Sequence, residues 1–389
     1  MKRVYLDHGA TTRPDPEVLE VMMPYFNEVY GNPSSIHSFG REVRKAVEEA
    51  REKVAAAIGA QAREIIFTSG GTEADNLAIR GVARALQKKG DHIITSSVEH
   101  HAVLDACLAL RDEGFTITLL PVNEEGMVSV ADVEAAITEK TILISVMMAN
   151  NEVGTVQPVA EIGSVARKHG ITFHIDAVQA IGSLPVNVDD LQCDLLSMSA
   201  HKFYGPKGVG ALYVRKGTKL KTYSFGGAQE RKMRPGTENV PGIIGMGKAI
   251  ELAVGQMPQR AAKIKALRDK LIDGLMKIED TKLNGHPTER LPGNVNVSIH
   301  YVEGESLILS LDLKGIAASS GSACTSGSLD PSHVLMAMGL DHQTAHGSLR
   351  LTLGAENTDE DIDYVLEVIP EIVERLRAMS SVYTCKSKE

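Results

Sequence analysis

Two short β-rich runs, Thr141-Ile142-Leu143-Ile144-Ser145-Val146 and Thr172-Phe173-His174-Ile175, flank a helical pattern at residues 158–169. This strand–helix–strand order predicts a βαβ unit, in which the two strands are parallel and the helix covers the sheet. Similar β-rich runs occur at residues 64–68, 92–96, 116–120 and 194–199, and helical patterns at 72–89, 101–113 and 130–137. The sequence therefore predicts an α/β fold with a mainly parallel sheet covered on both faces.

A seventh β pattern, at residues 208–214, completes the predicted sheet. It is joined to the preceding strand by the turn-rich link Tyr204-Gly205-Pro206-Lys207, which is too short for a helical crossover. We therefore expect a seven-stranded sheet in which this last strand is antiparallel to its neighbour.

The chain has 389 residues, more than the ~250–300 that one hydrophobic core usually serves, so two domains are expected. After a long helical pattern at 241–278, alternating β and helical patterns predict a smaller α+β module. We expect an N-terminal segment at 1–14, a large domain at 15–255 and a small domain at 256–389. The first ~60 residues should be largely helical, with caps at Asp15 and Ser34–Ser35, and should pack beside the C-terminal module.

Composition excludes several classes of function. The net charge is −9 and no block is dense in Lys or Arg, which argues against direct nucleic acid binding. The longest apolar stretch, residues 142–149, is too short to span a membrane, and the N-terminus lacks a signal-peptide core. The four cysteines are scattered without close pairs, which argues against zinc sites and disulfides and favours the reducing cytoplasm.

The first predicted strand ends in Thr68-Ser69-Gly70-Gly71-Thr72-Glu73, where a helix begins. Free backbone N–H groups at such a helix start can hold a phosphate. The alternative is a tight turn in which Thr72 only caps the helix. Neither a dinucleotide-binding nor a P-loop motif is present.

Two charged residues follow neighbouring strands: Asp176 after one and Lys202 after the next. A carboxylate at the end of a buried strand needs a cation or a turn to cap, whereas a lone lysine would ordinarily be a solvated charge. Because ligands bind at the carboxyl ends of parallel strands, these residues and the Gly70–Gly71 turn should meet. Together they suggest a pyridoxal phosphate site, with lysine for a Schiff base, aspartate for the ring nitrogen and the turn for phosphate.

Further motifs carry a resemblance to a known family: Ser199-Ala200-His201-Lys202, Asp176-Ala177-Val178-Gln179, Glu99-His100, Ala149-Asn150-Asn151-Glu152, Arg234-Pro235-Gly236-Thr237-Glu238-Asn239 and Ser319-Ser320-Gly321-Ser322-Ala323-Cys324-Thr325-Ser326. The chain resembles the class V aminotransferase-fold cysteine desulfurases of the NifS/IscS type over essentially its whole length. The resemblance implies the pyridoxal-phosphate-dependent transferase fold type I. It also implies a small domain built from both chain ends and an obligate homodimer with active sites at its interface.

The resemblance assigns roles to individual residues. Lys202 would form the Schiff base and move the substrate α-proton, Asp176 would hold the ring nitrogen protonated, and Gln179 would bond the phenolic oxygen. His100 would stack on the ring and assist proton transfer. Phosphate would be held by Gly71, Thr72, Ser199 and His201, joined by Thr237 from the neighbouring subunit; Asn151 and Arg350 would fix the substrate carboxylate, with Asn151 also beside the cofactor. Without the resemblance, His100 would be a surface histidine at a helix start and Arg350 a solvated strand charge.

The chain departs from the usual family pattern at three positions. Ala228 stands where histidine is usual, Gly9 where alanine or asparagine is common, and Ala355 where arginine is usual. These departures concern the rim of the expected site.

The four cysteines differ in their surroundings. Cys107 and Cys193 fall in apolar patterns typical of packed residues, and Cys385 is close to the chain end. Cys324 lies in a run without large side chains, which predicts a mobile loop. The resemblance implies that its thiolate attacks the sulfur of L-cysteine, which leaves a persulfide on Cys324 and releases L-alanine. No metal is required, although Cys324 could be a shared ligand to an iron–sulfur cluster.

The expected function is therefore that of a cysteine desulfurase that supplies sulfur for iron–sulfur cluster assembly or other sulfur-transfer pathways. The Ser-Ser-Gly-Ser-Ala-Cys form resembles the NifS/IscS subgroup. Two alternatives remain: a pyridoxal-phosphate-dependent aminotransferase or β-lyase in which Cys324 is incidental, and a catalytically silent partner in an iron–sulfur assembly complex. The acceptor, whether a scaffold protein or another relay, and the choice between cysteine and selenocysteine stay open.

Overall fold

The computed structural model describes residues 2–320, 331–380 and 383. Within them the strands are β1 Val4–Tyr5, β2 Ile65–Thr68, β3 His92–Ser96, β4 Thr116–Leu120, β5 Thr141–Ser145, β6 Thr172–Asp176, β7 Leu195–Ser199, β8 Gly210–Val214, β9 Thr281–Leu283, β10 Asn294–Ile299, β11 Ile316–Ala317 and β12 Ser348–Thr352. The helices are α1 Pro16–Met22, α2 Pro24–Asn27, α3 Ser38–Ala57, α4 Gly71–Leu86, α5 His101–Asp112, α6 Val130–Ala135, α7 Val159–His169, α8 Val240–Leu275, α9 Gly304–Leu313, α10 His333–Ala337, α11 His342–His346 and α12 Asp359–Met379.

A seven-stranded sheet forms the first half of the molecule, in the order β2-β8-β7-β6-β5-β3-β4. The pairs from β7 to β4 are parallel, and β8 is antiparallel to both β2 and β7. The predicted α/β class, the seven strands and the single antiparallel strand are thus confirmed. The link before β8 is short, so β8 runs antiparallel to β7. A parallel strand would need a longer crossover connection, usually a helix.

Helices cover both faces of this sheet. One face packs α4 and α5 onto an aliphatic cluster that includes Leu77, Ile93 and Leu143. The other face forms a larger cluster with residues of α1, α3, α7 and the first part of α8. Strands β2, β3, β5 and β7 are buried along their whole length, which explains their nearly continuous apolar sequences.

The second half of the molecule is an antiparallel sheet, β12-β10-β9, packed against α9, α12 and the last part of α8. Thr358 and Asp361 form a reciprocal capping box at the start of α12. The N-terminal strand β1 joins this half by pairing in parallel with β11. Strands β1 and β9 and helix α11 were not among the predicted elements, because segments of two to five residues show too little periodicity.

The expectation that the first ~60 residues pack beside the C-terminal module is wrong for most of that segment. Only β1 and Leu6 join the C-terminal cluster, whereas α1 and α3 pack on α8 in the sheet half. The contact is close because Gly247 of α8 has no side chain; a Cβ there would lie 2.8 Å from the Cβ of Ala50. Asp15 caps α1 as predicted, but His37 caps α3 instead of Ser34 or Ser35.

Helix α8 connects the two halves. Its residues up to Ala253 belong to the core of the sheet half, and those from Ile264 onward belong to the C-terminal cluster. Pro258 lies inside the helix between these two sets. The domain boundaries at residues 14 and 255 stay a prediction. In the part of the chain that the structure describes, no helix is long and apolar enough to cross a membrane.

Candidate functional site

A cavity of about 290 Å³ opens at the carboxyl edge of the parallel strands. Its walls combine residues that follow several strands of the sheet with residues from the N-terminus and the C-terminal half: Gly9, Ala10, Gly71, Thr72, Asp75, His100, Met147, Ala149, Asn151, Asp176, Val178, Gln179, Ser199, His201, Lys202 and Arg350. This position is where doubly wound α/β proteins bind ligands.

Lys202 enters the cavity from a short 3-10 turn, Ala200–Lys202, directly after β7. Its Nζ donates hydrogen bonds to the carbonyl oxygens of Gly9 and Ala10, the latter at 3.0 Å. The N-terminal segment therefore holds the amine at the edge of the cavity. These two contacts connect the lysine of the sheet half to the N-terminal segment.

The start of α4 forms a second wall of the cavity. Its N-cap is Gly70, which offers no side chain to the first N–H groups, so the interpretation of Thr72 as a simple cap is wrong. A Cβ at Gly71 would lie 2.7 Å from a methyl group of Val178, which shows how closely the two loops approach. Uncapped N–H groups at the positive end of a helix are suited to anionic oxygens.

Buried carboxyl groups lie beneath the cavity. Asp176 is 7% exposed, and its Oδ1 accepts a hydrogen bond from the backbone N–H of Val178 at 2.9 Å. Burial raises the pKa of Asp176, and the hydrogen bond and the nearby Lys202 charge oppose that rise. Burial, together with the charge of Asp176, raises the pKa of Asp75 well above its ordinary value.

A neutral histidine supports this carboxyl pair. The Nδ1 and Nε2 atoms of His174 bond the hydroxyls of Ser145 at 2.8 Å and Ser197 at 2.9 Å, and Nε2 lies 3.6 Å from Oδ1 of Asp75. Complete burial lowers the pKa of His174 to about 3, so it adds no positive charge. The floor of the cavity is therefore electronegative.

His100 lines the cavity as the N-cap of α5, where its Nδ1 accepts a hydrogen bond from the backbone N–H of Ala102 at 3.1 Å. Burial and then the charge of Lys202 lower its pKa to about 4. The interpretation of His100 as an ordinary surface histidine is therefore wrong, although it does stand at a helix start. His201 behaves similarly, since burial and Lys202 lower its pKa to about 4.

Arg350 reaches the cavity from β12 and is only 4% exposed, so it is not a solvated strand charge. Its guanidinium donates to the Ser319 hydroxyl at 3.0 Å, the Asn151 carbonyl at 3.1 Å and Asp7 Oδ1 at 3.1 Å. The Ser319 hydroxyl in turn donates to Asp7 at 3.0 Å. The cation is therefore held in place by groups from three distant parts of the chain.

Ten of the predicted site residues line the same cavity: Gly71, Thr72, His100, Asn151, Asp176, Gln179, Ser199, His201, Lys202 and Arg350. Gln179 donates to the Gly9 carbonyl at 3.0 Å. Thr237 is exposed and does not line the cavity of its own chain. Cys324 and Cys385 lie outside the described residues, while Cys107 and Cys193 are buried, free thiols.

The departures from the family pattern have different surroundings. Gly9 lines the cavity, and a Cβ there would lie 3.0 Å from the methyl group of Thr352, so the glycine relieves a tight contact. Ala228 is exposed and away from the cavity. Ala355 binds Tyr204 and Lys263 through its backbone only.

The sequence reasoning missed Asp75, Asp7 and Ser319 as parts of the site. A signal for Asp75 exists, because it lies three residues after Thr72, on the same face of the helix that opens at the cavity. Nothing in the local sequence marks Asp7 and Ser319, whose importance comes from their contacts with Arg350. Among the described residues, no group of three or more His, Cys, Asp or Glu could hold a metal ion.

The residues present fit a pyridoxal phosphate group. The buried carboxyl of Asp176 faces the cavity with a raised pKa, and a protonated ring nitrogen is the kind of cation that would stabilise its charge. The open start of α4 suits a phosphate, and Lys202 supplies a primary amine to the same cavity. The three requirements are met in one cavity of suitable size.

Comparison with known proteins agrees with this geometry. Residues 4–365 match the family described as "Aminotransferase class-V". A cysteine desulfurase IscS of Clostridium botulinum (strain Hall) is 57% identical over 393 residues, covering 100% of this chain and 99% of the relative. A cysteine desulfurase IscS of Methanosarcina thermophila is 58% identical, covering 97% and 94%.

Solved structures give the same result. A "NIFS-like protein" is similar with a TM-score of 0.91 and 41% identity, covering 96% of this chain and 100% of that one. "SspA in complex with cysteine" has a TM-score of 0.81 and 37% identity, covering 91% and 100%. The predicted fold type I and the predicted family are confirmed. The chain belongs to the class-V aminotransferase family, whose members depend on pyridoxal phosphate, and within it to the cysteine desulfurases.

Proposed function

We propose that this enzyme holds pyridoxal phosphate in the cavity and transfers the sulfur of L-cysteine to Cys324, with release of L-alanine. The observation that carries the proposal is the meeting of Lys202, Asp176 and the uncapped start of α4 in one cavity. The IscS relatives support the reaction, and a structural relative whose title names bound cysteine supports the substrate.

The cofactor would be held at both ends. The N–H groups of Gly71 and Thr72, with Ser199 and His201, would bind its phosphate, and Thr237 of a second copy would complete that site. Asp176 would bind the ring nitrogen, Gln179 the phenolic oxygen, and His100 would lie against the ring. When bound, pyridoxal phosphate accepts electron density from the substrate carbon and so permits loss of the α-proton.

Lys202 would bind the cofactor and would take up the α-proton of the substrate. Its hydrogen bonds to the carbonyl oxygens of Gly9 and Ala10 hold Nζ at the cavity. Arg350 and Asn151 would hold the substrate carboxylate, for which the two-pronged guanidinium is suited. These contacts would bring the α-carbon near the amine.

Cys324 would act as the sulfur acceptor. Its thiolate sulfur forms a bond to the substrate sulfur while the substrate Cβ–Sγ bond breaks, and the carbon keeps the electron pair and takes a proton. The products are a persulfide on Cys324 and L-alanine. Cys107 is buried, and burial raises its pKa to about 12, which makes it unsuitable as a competing nucleophile.

The partners follow from the same proposal. A homodimer would bring Thr237 to the neighbouring cavity, and an iron–sulfur scaffold protein or another sulfur acceptor would take the persulfide sulfur. A role for Cys324 as a cluster ligand shared with that scaffold belongs to the same proposal. The free thiols of Cys107 and Cys193 support a cytoplasmic location.

Mass analysis of the intact protein after addition of L-cysteine tests the proposal. We expect added sulfur on the peptide that contains Cys324 and L-alanine in step with it. Cys324→Ala should lose both beyond background, whereas Cys107→Ala, a matched control at a buried thiol, should keep both. Retained turnover in Cys324→Ala would contradict the persulfide route and favour an aminotransferase or β-lyase. An absent cofactor absorbance band after incubation with pyridoxal phosphate would favour a silent partner.

A further inference from the structure

The loop that carries Asn151 is bound by the C-terminal half, although the chain places it between β5 and α7 of the sheet half. The backbone N–H of Val156 donates to the carbonyl oxygen of Glu289 at 2.9 Å. The backbone N–H of Leu291 donates to the carbonyl oxygen of Gly154, also at 2.9 Å. These two bonds join the loop to the segment that connects β9 and β10.

Two buried asparagines of β10 bind the loop directly after Asn151. The Nδ2 atoms of Asn294 and Asn296 each donate to the carbonyl oxygen of Glu152 at 3.1 Å, and neither residue is more than 2% exposed. The approach is closest at Gly154, whose φ is +83°, because a Cβ there would lie 2.7 Å from Oδ1 of Asn294. The contact therefore requires a glycine in the loop.

Arg290 adds a charged contact beside these asparagines. Its Nη2 donates to the carbonyl oxygens of Val153 at 2.7 Å and of Asn284 at 2.8 Å, so the cation joins the loop to the C-terminal half. Among the described residues these two carbonyls are the partners of the guanidinium, and its Nε and Nη1 atoms have none. Burial and then the charge of Arg268 lower the pKa of Arg290 to about 10, while Asp269 acts in the opposite direction. A cation buried without a bonded carboxylate is costly, which distinguishes Arg290 from an ordinary packing residue.

The same loop is also tied to the sheet half and to the cavity. Nδ2 of Asn150 donates to the carbonyl oxygen of Val98, which follows β3, and Oδ1 of Asn150 accepts from the backbone N–H of Glu152, both at 2.9 Å. The carbonyl oxygen of Asn151 accepts from Nη1 of Arg350 at 3.1 Å. The position of Asn151 beside Arg350 therefore depends on contacts from both halves.

We propose that Arg290 is a positioning residue for the substrate carboxylate: by binding the Val153 carbonyl from the C-terminal half, it keeps Asn151 beside Arg350. Arg290 does not line the cavity and acts only through the loop. Its effect on substrate rests on the proposed function, in which Asn151 and Arg350 bind the carboxylate. Its effect on the order of the loop does not.

Binding of L-alanine to the full-length holoenzyme, followed by the absorbance of the cofactor, tests the role without sulfur transfer. Ethylamine is the matched amine that lacks the carboxylate. Arg290→Met keeps a long side chain but removes both hydrogen bonds, and we expect it to weaken L-alanine binding roughly 10-fold and to leave ethylamine binding unchanged. Arg377→Met is the control, because Arg377 is also buried and binds two backbone carbonyls, but away from the loop. It should leave the binding of both amines unchanged.

Hydrogen exchange measures the order of the loop itself. Peptides that cover residues 150–157 should exchange faster in Arg290→Met than in the wild type, and at the wild-type rate in Arg377→Met. If Arg290→Met does not fold, Asn294→Ala replaces it; this variant removes one of the two side-chain bonds to the Glu152 carbonyl and should weaken L-alanine binding about 3-fold.

An unchanged affinity for L-alanine in a folded variant would overturn the proposal, and so would equal losses for L-alanine and ethylamine. Wild-type exchange of residues 150–157 in Arg290→Met would overturn it as well. Absence of sulfur on Cys324 after addition of L-cysteine would refute the proposed reaction but would leave the exchange result standing.

Discussion

The cavity has two walls that differ in their buried charges: one contains carboxyl groups, and the other contains an arginine that is paired with a carboxylate. The sheet wall contains the carboxyls of Asp75 and Asp176, with the fully buried carboxyl of Glu99 nearby, and burial is the chief cause that raises the pKa of all three. The arginine wall, made by Arg350, Asp7 and Ser319, pairs its cation with a carboxylate from the same chain. The sheet wall thus holds more buried carboxyls than cations, with Lys202 as a nearby positive charge, whereas the Arg350 cation is already paired with Asp7. Under the proposed function, the first wall would hold the protonated ring of the cofactor and the second would hold the carboxylate of the substrate.

Asp176→Asn should have the largest effect, because it removes the negative charge on which the sheet wall depends. We expect kcat/KM for alanine release to fall roughly 10²–10³-fold. Asp75→Asn is the matched comparison on the same wall and should cost less, since burial and the charge of Asp176 raise the pKa of Asp75 and so favour its uncharged form. Equal losses in the two variants would remove the distinction between these carboxyls.

Arg350→Lys should have the next largest effect. Lysine keeps the positive charge but lacks the planar guanidinium, whose paired N–H donors could release Asp7 and bind a substrate carboxylate instead. We expect the KM for L-cysteine to rise by about 10–100-fold with a smaller change in kcat. Arg377→Lys, at a buried arginine that binds two carbonyls elsewhere in the C-terminal half, should leave KM unchanged. An unchanged KM in Arg350→Lys would show that this wall does not bind substrate.

The pH dependence of the stability of the cofactor-free protein should include a contribution from Glu99 beside the sheet wall. Burial raises the pKa of Glu99 to about 8 in the folded protein, above its value in the unfolded chain. Glu99 therefore stabilises the fold at low pH, and that contribution is lost as pH rises from about 4.5 to about 8, by roughly a few kcal/mol. Urea unfolding should show this loss, and Glu99→Gln should flatten it while keeping the bonds from Ser96 and Met147. If the unfolding free energy of Glu99→Gln changes with pH as steeply as that of the wild type, Glu99 is not the source of the loss.

Ser319→Ala should have the smallest effect, because the direct contact between Arg350 and Asp7 remains at 3.1 Å. Loss of one hydroxyl that bonds both groups is worth about 1 kcal/mol, or roughly five-fold in KM. Steady-state kinetics with L-cysteine measures this change. A loss as large as that of Arg350→Lys would mean that Ser319 binds substrate itself.

The two walls were also unequally predictable from sequence. Lys202, Asp176 and the Gly71 turn could be placed together because parallel strands end at one edge of a sheet, which is a geometric rule. The arginine wall joins residues 7, 319 and 350, and no local pattern indicates which distant loops will meet. Family resemblance named Arg350 but could not reveal Asp7 as its partner.

Contacts between residues that are distant in sequence were also a part of the fold that the sequence did not predict. The seven strands and the antiparallel sense of the last one followed from periodicity and link length, whereas the packing of α3 on α8 depends on surface shape at Ala50 and Gly247. The cap of α3 was assigned to the serines at 34 and 35 because serine is a common cap, but the ring of His37 takes that place. Competition among several possible caps is resolved by the path of the chain and not by residue preference.

The pairing of β1 with β11 has a consequence for synthesis on the ribosome. Val4 emerges first but pairs with Ile316, so its partner is made ~300 residues later, roughly 15–60 s at typical rates of translation. The sheet half can meanwhile complete its own core, because α1, α3 and the first part of α8 are all made by residue 253. The arginine wall therefore cannot assemble until residue 350 has been synthesised, since Asp7 must wait for Arg350.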